Sequence, residues 1–160
     1  LKVISPNISF NYEVLDISDT SYATYDGHRA TNVGFGLSYI LPVITTLLVS
    51  TFEKDSLVII ENPEAHLHPK GQTELAKLIC LCAKLGTQVI IETHSDHIFT
   101  GVRLFIKENA FSDNTLIHWL ELNENKNTDI TTIYIDKNGR VNDWPKGFFD
   151  QFEINHSKLI

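Results

Sequence analysis

The sequence predicts an α/β fold: a mainly parallel sheet with flanking helices, with antiparallel strands at both ends. Three observations predict it. Two short continuous apolar runs, residues 56–60 and 88–91, are each followed by a helix-length segment, and strand–helix–strand–helix at that spacing makes a βαβ unit with parallel strands. Residues 1–31, 116–122 and 130–135 instead alternate apolar with polar, the period of half-buried strands. Finally, 160 residues at 42% apolar and 21% charged are enough to bury a core.

The elements follow in order. Val3, Ile8, Phe10, Tyr12, Val14 and Ile17 carry the first alternation, with turns expected at Pro6-Asn7 and Asp26-Gly27. Gly34 and Gly36 open an apolar helix over 37–51, apolar nearly all round and so expected to be buried, with Pro42 in its first turns or at a kink. Residues 56–60 and 88–91 read as strands buried on both faces. Between them, Pro69 suits a first helical position and Gly86 a C-terminal stop. Ser95 or Asp96 caps a further helix to about residue 110. Residues 136–139, Asp-Lys-Asn-Gly, carry a hairpin signal before Val141. Trp144, Phe148 and Phe149 form a tail expected to dock on the core. The division predicted is 1–30, 31–112 and 113–160.

Several function classes are excluded at this level. The net charge is −7, and none of residues 1–50, 51–100 and 101–160 is net positive, whereas nucleic-acid binding needs clustered Lys and Arg. A nucleic-acid partner is open to a parent protein but unsupported by this chain. The longest greasy stretch, residues 39–49, is half the roughly 20 residues a membrane span needs. Cys80 and Cys82 sit two apart in a helical segment and point away from each other, so they cannot bridge. With no signal peptide, this fits a cytoplasmic location. The chain begins at Leu1 and contains no Met, and so reads as a fragment.

Three segments carry chemistry. Residues 31–38, TNVGFGLS, place two glycines before a helix, where backbone N–H groups bind anions, although such a pair also makes an ordinary turn. Residues 57–69, LVIIENPEAHLHP, put Glu61 at the C-terminal end of a strand, where open α/β sheets bind ligands and a carboxylate can hold Mg2+ beside a phosphate. Residues 88–97, QVIIETHSDH, end a second strand at the same edge, with His94 able to contact a phosphate or a water.

Taken together and in this order, the three segments resemble the back half of an ABC-type ATPase head. They are most similar to the bacterial AAA-family ATPases related to the overcoming-lysogenization-defect and SMC/Rad50 proteins. The strings ENPEAHLHP and THS carry that resemblance, and WPKGFFD at 144–150 resembles a small C-terminal domain of unknown function found in one subfamily. The resemblance implies a partial P-loop NTPase fold, with ATP and Mg2+ as ligands of the intact parent and a homodimer through paired heads. Residues 32–38 resemble the signature loop, so Gly34, Gly36 and Ser38 are expected to meet the nucleotide of the opposing subunit. Residues 57–61 resemble the Walker B strand, with Glu61 organising Mg2+. Residues 65–69 match the D-loop, and His94 matches the switch histidine.

Two departures qualify the match. The position that usually holds the general base is Asn62, and an amide accepts no proton from water at neutral pH, so Glu64 serves or hydrolysis is slow. No G-x-x-x-x-G-K-[ST] occurs in the sequence, so the phosphate cradle is expected upstream of Leu1 and this chain alone is expected to be inactive.

Two alternatives stand beside the ATPase reading. One is an ATP-gated regulatory or interaction module with little turnover. The other is a metal-dependent hydrolase, for which Glu61, Glu64, His66, His68, His94, Asp96 and His97 would gather at one sheet edge.

Overall fold

The computed structural model describes every residue except 3, 17 and 19, so Val3 and Ile17 of the first alternation lie outside the described residues. The chain forms two compact units, Leu1–Gly101 and Val102–Ile160.

The first unit opens with an antiparallel sheet of β1 (Phe10–Leu15), β2 (Thr20–Tyr25) and β3 (His28–Arg29). Both expected turns form. The Ile8 amide donates to the Ser5 carbonyl across Pro6-Asn7 at 3.3 Å. Between β2 and β3, Asp26 and Gly27 take φ of 49° and 78°, the paired positive values that join strands without splaying them. β1 is exposed along its length, whereas Tyr25 at the end of β2 is buried.

The apolar helix is α1 (Phe35–Ser50), with Pro42 inside it. Pro42 cannot donate to the carbonyl one turn earlier, which removes one helical bond. Only one side of α1 is buried: Ile40, Ile44 and Leu47 face the core, while Leu48 and Val49 are exposed. This corrects the expectation of burial all round, because the helix packs chiefly against β4 and α2 among the elements that follow it.

β4 (Leu57–Glu61) and β5 (Gln88–Glu92) pair in parallel, residue for residue, from Leu57↔Gln88 to Glu61↔Glu92. Burial on both faces does not occur. Val58 is enclosed, but Leu57, Ile59 and Ile90 are 53%, 66% and 49% exposed. Helices α1 and α2 pack on the sheet, and they cover the Val58 face only. The parallel part of the fold is this pair, with antiparallel sheets before and after it.

α2 (Pro69–Lys84) begins where the proline predicts and ends before Gly86, which takes φ of 109°. Its buried stripe of Leu75, Ala76, Ile79, Cys80 and Cys82 follows helical periodicity, and both thiols are free. α3 runs Asp96–Asn109. Ser95 is its cap, its hydroxyl accepting the amides of His97 and Ile98 at 3.1 Å each.

In the second unit, β6 (Ile117–Leu122) and β7 (Thr128–Ile133) form an antiparallel pair. The hairpin signal is real: Gly139 has φ of 74° and donates to the Asp136 carbonyl at 2.9 Å, beneath an Ile135–Val141 bridge. The tail docks within this unit. Phe148 is 3% exposed and meets Trp119 and Trp144 edge-on, each with ring centroids 5.6 Å apart. A short helix α4 (Gln151–Ser157) follows, which the sequence reading did not anticipate. Among the described residues no helix is long and apolar enough to cross a membrane.

Candidate functional site

The three chemistry-bearing segments come together in the first unit, around the turn at 62–68. Glu61 ends β4 and Glu92 ends β5 as direct partners, so two exposed carboxylates stand side by side at the C-terminal edge of the parallel pair. His94 follows Glu92. Its Nε2 lies 2.8 Å from Glu92 Oε1, and the ring is 84% exposed. Glu92 was not singled out from sequence. It occupies in β5 the place Glu61 holds in β4, which is the signal that could have found it.

Asn62 takes φ of 47°, a left-handed conformation that Asn adopts at lower cost than most residues. Its amide donates to the Glu92 carbonyl at 2.9 Å, extending the parallel ladder one residue past Glu61. Its carbonyl accepts from the Ala65 amide at 3.1 Å and from the Tyr39 hydroxyl at 3.4 Å. The Leu67 amide then donates to the Glu64 carbonyl at 3.0 Å, and His66 also has positive φ, 64°. Residues 62–67 are thus two overlapping turns.

The glycine loop packs on this turn. Gly34 precedes α1 with no side-chain cap, and the space where its Cβ would stand is open to 4 Å. No side chain of the described residues caps the first turn of this sixteen-residue helix, where the Leu37 amide donates to the Gly34 carbonyl at 3.1 Å. Gly36 lies on the backbone of His66, and Tyr39 meets the His66 ring edge-on at 5.8 Å. Ser38 lies in the same first turn of α1. A cavity of about 230 Å³ opens beside Gly36, with His66, His68 and Lys70 in its lining.

Glu64 is 7% exposed. Its Oε1 accepts from Thr93 Oγ1 at 2.7 Å and from the His94 amide at 3.2 Å. Among the described residues its buried Oε2 has no partner. The network continues: the Ser95 amide donates to Thr93 Oγ1 at 3.1 Å, and Ser95 Oγ donates to Gln72 Oε1 at 2.6 Å. Gln72 Nε2 returns to the Leu67 carbonyl at 2.8 Å. Thr93 and Gln72 were not anticipated, since nothing in their local sequence marks a partner so far along the chain.

The structure does not assemble the ligand set of the metal-hydrolase alternative. Among the described residues no three of His, Cys, Asp and Glu are grouped so as to hold a metal ion. His68 uses its Nδ1 to accept the Lys70 amide at 3.3 Å, His94 turns to Glu92, and His97 to Asp96 at 3.6 Å. Glu64 is committed to Thr93 and His94.

Residues 2–99 match the AAA ATPase domain family, and residues 112–159 match a protein family of unknown function, DUF3696. A structure from work on ATP-driven dimerization and DNA-stimulated activation of SMC ATPases is similar over 99% of this chain and 86% of its own, at a TM-score of 0.63 and 12% identity. An SMC head bound to the C-winged helix domain of ScpA is similar over 85% of this chain and 40% of its own, at a TM-score of 0.65 and 14% identity. No curated protein matches. The chain belongs to the AAA ATPase domain family, and its fold is that of the SMC ATPase heads.

Proposed function

We propose that this chain supplies one side of a head-type ATP site, which two copies of the parent protein close around nucleotide and Mg2+. The observation that supports the reading is the convergence on one turn: Glu61 and the Glu92–His94 pair end the two parallel strands, and Gly36 seats the start of α1 against His66. In this reading Glu61 holds Mg2+ and His94 reads the γ-phosphate. Gly34, Gly36 and Ser38 form the signature loop that meets the nucleotide of the opposing copy, residues 57–61 are the Walker B strand and 65–69 the D-loop.

The residues present fit those ligands in part. The start of α1 has no side-chain cap, and the space beside Gly34 is open, which suits an anion. The carboxylates of Glu61 and Glu92 are exposed at the strand ends, which suits a hard cation. Mg2+, when bound, supplies charge neutralisation on the phosphates. The Lys-bearing phosphate loop is not among these 160 residues, so in this proposal it comes from another part of the parent, and the chain alone does not turn over ATP.

A second reading, an ATP-gated module with little turnover, is favoured by a specific observation. Asn62 stands at the usual base position, and the acid offered in its place, Glu64, is enclosed and already accepts two hydrogen bonds. In this conformation it offers no open oxygen to a water. Both readings require nucleotide-driven pairing of heads. Light scattering of the full-length protein with and without Mg·ATP tests this: a doubling of mass with nucleotide supports the site, and an unchanged mass with no nucleotide binding removes it. The division at residues 30 and 112 belongs to the same proposal.

A further inference from the structure

We infer that Glu64 is a positioning residue: its buried carboxylate, with Thr93, Ser95 and Gln72, latches the turn at 62–68 to the loop carrying His94, so that the two move as one. The inference rests on the proposed role of His94.

Burying a carboxylate is costly unless hydrogen bonds replace its water. Every bond that compensates Glu64 comes from the His94 loop, through the Thr93 hydroxyl and the His94 amide. Both of these bonds therefore tie the turn to that loop. A second tie runs from the other end of the turn. Gln72 holds the Leu67 carbonyl with its Nε2 and receives Ser95 Oγ on its Oε1. Ser95 closes the circuit back to Thr93 and also caps α3.

The turn is therefore fixed to the His94 loop near both its ends, by Glu64 and at Leu67. Its other side touches the start of α1, where Gly36 meets the His66 backbone and Tyr39 meets Asn62. A displacement at the glycine loop has a rigid route to His94 that needs no contact between Glu64 and nucleotide. Glu64→Gln separates this role from that of a base. A carboxamide at position 64 keeps one accepting oxygen for Thr93 and His94 but cannot take a proton from water.

The experiment uses the full-length protein and two readouts: hydrogen exchange at the His94 amide without nucleotide, and kcat and KM for Mg·ATP. In Glu64→Ala the His94 amide exchanges up to roughly tenfold faster, the worth of one hydrogen bond. The core amides of α2 stay protected. Turnover falls by roughly tenfold or more while KM moves less than about threefold, the pattern of a misplaced group rather than lost binding. Glu64→Gln retains most of the turnover and most of the protection. Gln72→Ala, which leaves Glu64 intact, also speeds exchange at His94 and keeps the latch testable if Glu64→Ala does not fold.

The proposal is overturned if His94 stays protected in both alanine variants. It is equally overturned if Glu64→Gln abolishes turnover with His94 still protected, because Glu64 then acts by its charge as a base. Failure of the wild-type protein to bind Mg·ATP removes the proposed function, while the exchange measurement still decides whether the latch exists.

Discussion

A Cβ placed on Gly36 would stand 2.5 Å from the carbonyl oxygen of His66. The glycine is thus required by contact rather than by backbone angle, and it fixes the distance between the start of α1 and the turn at 62–68. Gly36→Ala must push one of the two away. Overpacking of this kind costs about 1–3 kcal/mol, so the urea midpoint of the variant falls. Gly34→Ala, where the same space is open, is the control and stays within about 1 kcal/mol, the lesser penalty of losing a permissive residue at a helix cap. Equal effects at the two glycines would contradict the packing argument.

The seam between α2 and Gly101 is similarly tight. A Cβ on Gly101 would lie 2.6 Å from the Ala76 methyl and 2.9 Å from the Thr73 carbonyl. Gly101→Ala gains helix propensity of about 1 kcal/mol, but the clash exceeds it, and thermal unfolding shifts down. A rise in Tm would show that the helices can separate freely.

Burial pushes the Cys80 thiol up from its ordinary 9.0 to about 12, and raises that of Cys82 too. Only the thiolate is reactive, so a thiol reagent modifies the native protein slowly and the denatured protein at both cysteines. The raised value also sets a pH dependence. The thiol's contribution to stability is complete below pH 9, where the unfolded chain also keeps its proton, and is lost as pH rises toward the folded value. Cys80→Ala lacks this loss, so the gap between wild type and variant narrows as pH rises from about 9 toward about 12 in urea melts. A constant gap would contradict it.

In the second unit the tail aromatics Phe148 and Trp144 are unequal. Phe148 is buried between Trp119 and Trp144, whereas Trp144 is 44% exposed. Phe148→Ala costs about 3–5 kcal/mol, the range for a fully buried aromatic. Trp144→Ala costs less, and near-ultraviolet circular dichroism of Trp119 reports the difference. Similar losses would mean that the tail is held by its exposed ring.

Local chemistry explains what was legible in the sequence. Pro69 and Gly86 bracket α2 because each has a backbone preference that suits only one end of a helix. Asp26-Gly27 makes its turn for the same kind of reason. The apolar runs of β4 and β5 identified strands correctly, but a continuous run cannot say how many layers cover it, and here one face is left open. Glu61 and His94 could be assigned to a shared edge because both follow predicted strands. The environment of Glu64 could not be read. Its partners lie 29 and 30 residues away, and only the parallel register of β4 with β5 brings them together. The short α4 has no apolar periodicity to betray it.

The central claim is that Glu61 serves a Mg·ATP site, and Mg2+-dependent ATP turnover by the full-length protein beside Glu61→Gln tests it most directly. The account predicts that nucleotide-dependent turnover in the wild type, fast or slow, is lost in the variant by roughly a hundredfold or more, as expected when charge stabilisation is removed from phosphoryl transfer. The exposed position of Glu61 predicts an unchanged melting temperature. Undiminished turnover in Glu61→Gln would contradict the account.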